Sequence, residues 1–153
     1  MPEIQLKIIR TRYCRLGSLY QESTNRRDSA VLERTLRDSI CFNAPLKRYT
    51  NFLELAGGVI VAIALLSTDQ NDPHAVGKLV VIYDPNRVKT DALFWLGDAE
   101  VSTFYVQDGW LIISKKDNLD SEHVDVTSEW ETFAVKLDPI EKPLKIEGEP
   151  QFI

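Results

Sequence analysis

Residues 100–116 read EVSTFYVQDGWLIISKK, two apolar arms around Asp108-Gly109. An Asp-Gly pair suits a two-residue type I′ turn, in which both central residues need positive φ, and the arms 100–107 and 110–116 are rich in aromatic and β-branched residues. The stretch predicts an antiparallel hairpin. Downstream, 117–126 is an acidic connection and 132–137 alternates apolar with polar residues, predicting a last strand. Residues 138–153 carry Pro139, Pro143 and Pro150 among six charged side chains, so an extended tail with no regular element is expected.

Upstream of the hairpin further strand signals recur. Residues 52–55 and 59–66 flank the Gly57-Gly58 pair and predict two strands, or one strand broken at a bend. The second is apolar on both faces, which places it centrally in a sheet. Residues 78–83 form a further strand closed by Asp84-Pro85-Asn86, and 92–96 another. Near the start, Ile4, Leu6 and Ile8 alternate with Gln5 and Lys7, the pattern of a half-buried strand.

One segment has a different period. From a cap at Asp28 or Ser29 to about Phe42, the residues Val31, Leu32, Thr35, Leu36, Ser39, Ile40 and Phe42 share one half of a helix. Glu33 precedes Arg37 by four residues, the favourable order for a helix pair, and Pro45 lies just beyond the end. The fold class is therefore α+β: one principal amphipathic helix packed on a mainly antiparallel, twisted sheet of about six to eight strands. The expected organisation is a single domain over 1–137 followed by the tail 138–153.

With 153 residues, 44% apolar and 27% charged, the chain has the make-up of an ordinary globular protein and length enough to bury about two-thirds of its surface. The longest apolar run, 55–66, is twelve residues with two glycines, short of the twenty or so a membrane helix needs, so no membrane association is expected. Glu3, Lys7 and Arg10 interrupt the opening MPEIQLKIIR, which does not read as a secretory leader. Cys14 and Cys41 could close at most one bridge and are expected to be reduced thiols in the cytoplasm.

The formal charge of −5 is unevenly distributed. Residues 1–50 hold ten basic and five acidic side chains, a local +5, and the remainder sums to −10. Eight of the nine arginines lie in the first third, so Arg10, Arg12, Arg15, Arg26 and Arg27 are candidate phosphate contacts for a nucleic acid. The ordinary alternative is that basic and acidic parts mix over one surface, and the aromatic interleaving of an RNA-reading module is missing.

Motifs for chemistry are few. There is no G-x-G-x-x-G, P-loop, G-x-S-x-G or C-x-x-C, and a catalytic triad would need His74 or His123, both in polar segments. A zinc site would need all of Cys14, Cys41, His74 and His123, and the acidic stretch from Asp117 lacks the order and glycine of a calcium loop. Neither metal nor cofactor is expected. Asp98 and Glu100 are the carboxylate pair to inspect for glycoside cleavage.

The favoured expectation is a non-enzymatic protein acting through protein contacts, as an assembly subunit or an acidic inhibitor, on a partner with a basic surface or on neighbouring subunits. Its candidate residues are Trp130 between Glu129 and Glu131, the acids Asp117, Asp120 and Glu122, and the tail anchors Ile140, Leu144, Ile146 and Phe152, which could add a strand to a partner's sheet. Trp95 and Trp110 fall in predicted strands and are assigned to the core or to cross-strand pairs. A nucleic-acid protein is the second expectation. A small-molecule enzyme with a pocket between helix and sheet is the third.

Overall fold

The computed structural model describes residues 27–40, 45–117, 130–137 and 140–146. Within them are one α-helix and eight strands, arranged as two antiparallel sheets of four. Those in Glu22–Asp98 form one compact unit and those in Ala99–Ile153 the other.

In the first unit, α1 (Ser29–Asp38) begins where Asp28 accepts a hydrogen bond from the Ala30 amide through its side chain, at 2.9 Å. That satisfies one of the amides a helix start leaves open. The Glu33–Arg37 pair closes at 2.9 Å on the exposed side. The helix stops at Asp38, short of the expected Phe42. The Ser39 amide turns back to the Leu36 carbonyl, and the Thr90 amide donates to the Ser39 carbonyl at 2.8 Å. Ile40 then bridges to Thr90, so strand pairing competes with the last helical turn and prevails. Cys41 and Phe42 lie outside the described residues.

Strands β1 (Leu46–Glu54), β2 (Ile60–Ser67), β3 (Val76–Asp84) and β4 (Lys89–Gly97) follow as a meander in sequential order. Between β1 and β2 the chain reverses through a 3-10 turn, with Gly57 and Gly58 at φ 78° and 80°, values that side chains disfavour. The two strands then pair, with Glu54 opposite Ile60. As its apolar faces require, β2 lies inside the sheet, between β1 and β3, and is buried along almost its whole length. One buried cluster joins Leu32 and Leu36 of α1 to Tyr49, Ile60, Ala62, Ala64, Leu66 and Val81.

Tyr49 is the one described member of this cluster with an unmet polar atom: its buried hydroxyl has no hydrogen-bond partner. Burial pushes its pKa up from 10.0; the nearby Arg37 opposes this and Glu33 adds to it. An orphaned hydroxyl costs about 1–3 kcal/mol, so Tyr49→Phe is expected to be neutral or stabilising by about 1 kcal/mol. Above pH 10 the unfolded chain releases this proton before the folded one does, so the folded state holds more protons and stability falls as pH rises. Urea unfolding at pH 7 and pH 10.5 checks both points: the variant should lose less stability between the two than the native chain does.

The second unit is also a meander: β5 (Ala99–Gln107), β6 (Trp110–Asp117), β7 (Glu131–Lys136) and β8 (Leu144–Ile146). The expected hairpin turn is present, with Asp108 at φ 53°, Gly109 at φ 84° and Gln107 opposite Trp110. Trp110, Ile112, Ala134 and Ile146 make its buried cluster.

Two expectations are corrected. The strands do not form a single sheet, because only Asp98 separates β4 from β5, fewer residues than the smallest common hairpin loop. The stretch after residue 137 is not devoid of regular structure. Pro143 falls just before Leu144 and outside the pairing, and Leu144 and Ile146 lie opposite Ala134 and Thr132.

Candidate interaction surfaces

Trp130 immediately precedes β7 and is half-exposed, at 48%. Strand pairing decides the charges that follow it. Glu131 sits opposite Lys115 across β6–β7, and its carboxylate accepts from the Lys145 ammonium at 2.9 Å. Lys115 itself reaches Asp117 at 2.9 Å and lies 5.9 Å from the Phe133 ring centre. The two described members of the expected acidic face, Asp117 and Glu131, are therefore each matched by a lysine from this unit. Glu129, Asp120 and Glu122 lie outside the described residues.

The apolar anchors are divided. Ile140 is exposed at 45% and forms only an isolated bridge to Leu137. Leu144 packs half-buried against the second core, and Ile146 retains 2% exposure within it. Ile146 thus fills a space in its own sheet, where the tail had been expected to offer it to a partner. Phe152 is outside the described residues. Next to this segment, the buried Lys136 reaches Glu141 at 3.5 Å.

In the first unit, Arg27 is anchored. Its backbone amide and its Nε both donate to the buried carboxylate of Glu54, at 2.6 and 2.7 Å. One bond comes from the backbone and one from the guanidinium, so the side chain that was assigned to phosphate is paired with Glu54 through Nε. Arg10, Arg12, Arg15 and Arg26 lie outside the described residues, as do Cys14 and His123. His74 is exposed, and its amide donates to Asp72 within the loop. Asp98 and Glu100 are each exposed. Among the described residues no three of His, Cys, Asp or Glu gather into a metal-binding group.

One residue of interest escapes sequence reasoning. Trp95 on β4 is 51% exposed, so of its two expected places, core or cross-strand pair, it takes the second, opposite Leu79 of β3. The edge of its six-membered ring meets Gly77 of β3: a β-carbon there would fall 2.1 Å from Cη2 and 2.7 Å from Cζ2. Gly97, at φ 68°, sits beneath the other end, its β-carbon position 3.7 Å from Nε1. The missing side chain at Gly77 is what leaves room for that ring edge. The sequence reading starts this strand at residue 78, so Gly77 falls in the preceding loop and gives no signal there; its place inside β3 is visible only in the structure.

Compared with known proteins, the sequence matches no family model and no curated protein, and the structure matches no solved structure. No helix among the described residues is long and apolar enough to cross a membrane.

Proposed function

We propose that this protein works by binding another protein, as an assembly subunit or an inhibitor, and that exposed tryptophans anchor the contact. The observation that carries this reading is the uneven use of tryptophan: Trp110 is buried at 2%, whereas Trp130 and Trp95 remain 48% and 51% exposed. Large aromatic side chains left in water are the commonest energetic centres of protein interfaces. Both are attached to paired strands, or directly abut one, so little side-chain order would have to be gained on binding.

The pairing of Asp117 and Glu131 with lysines shifts the expected balance of forces. Burial of the aromatic surface then contributes more than bulk charge, and the acidic −10 of residues 51–153 acts mainly on the rate and choice of encounter.

The test is affinity recovery of the chain from the cells that make it, at low salt, beside Trp130→Ala and Trp95→Ala variants. The expected result is a defined protein partner whose retention falls by about tenfold or more with at least one substitution, the scale of a truncated interface anchor. A partner held equally by all three chains would contradict the role given to the tryptophans.

A further inference from the structure

We draw no further inference here: the strongest candidate, the tip of the β3–β4 hairpin, where Val88 is 68% exposed at a φ of 50°, is an apolar patch and nothing in the structure shows what covers it.

Discussion

Shortening Ile146 to alanine is expected to destabilise the protein by about 2–4 kcal/mol, although this residue lies close to the C-terminus of the sequence. Its side chain is 98% buried by the accessibility of 2%, packed with Trp110, Ile112 and Ala134, and its strand is only Leu144–Ile146. The loss has two sources: removed apolar contact, and a cavity that the inner strands β6 and β7, fixed by pairing on both sides, cannot close. Lys145→Ala, on the exposed side of the same strand, removes a surface ion pair to Glu131 and should cost less than about 1 kcal/mol. Chemical denaturation of the two variants gives the comparison. Similar, small losses would mean that the terminal strand is a loosely held segment, available after all as an anchor for a partner.

Leu36→Ala should cost about 2–5 kcal/mol. Leu36 has no exposed surface and shares its cluster with Leu32, Tyr49 and the inner strand β2. Val31, on the exposed side of the same helix, is 44% accessible, and Val31→Ala should stay within about 0.5 kcal/mol and favour the helix slightly. The pair measures how much α1 contributes to the core, since the helix-propensity changes are a few tenths of a kcal/mol against a burial loss several times larger. A small loss for Leu36→Ala would show that the helix covers its sheet only weakly.

Features governed by near neighbours were legible in the sequence. Asp108-Gly109 specifies its own turn, because the backbone requirement is met by the two residues themselves. The N-cap at Asp28 and the interior position of β2 follow equally from local chemistry and from an apolar run with no polar face. What the sequence hid depends on partners far along the chain. The helix end is set by Thr90, some fifty residues away, and Arg27, the one described arginine of the five assigned to phosphate, is held by Glu54, twenty-seven residues on. Counting acids along the chain likewise missed the lysines that strand pairing places beside Asp117 and Glu131.

The candidate surface was half legible for the same reason. Trp130, flanked by Glu129 and Glu131, reads as exposed from its neighbours alone, and it is. Trp95 sits in an apolar strand pattern, which fits the core or a cross-strand pair equally; its exposure goes with its place on β4, at the end of the sheet order, where its ring edge meets Gly77. Proline content suggested a free tail, but prolines exclude pairing only at the positions they occupy, and Leu144–Ile146 lies clear of them.

The most direct measurement of the central claim is native mass spectrometry of the full chain recovered at low salt from the cells that make it. The protein-binding account expects an intact complex heavier than the 17.5 kDa chain by the mass of a distinct protein, or by further copies in an assembly, and loss of that added mass when Trp130 and Trp95 are replaced together. A bare chain of 17.5 kDa, or one carrying an oligonucleotide in place of protein, would contradict it.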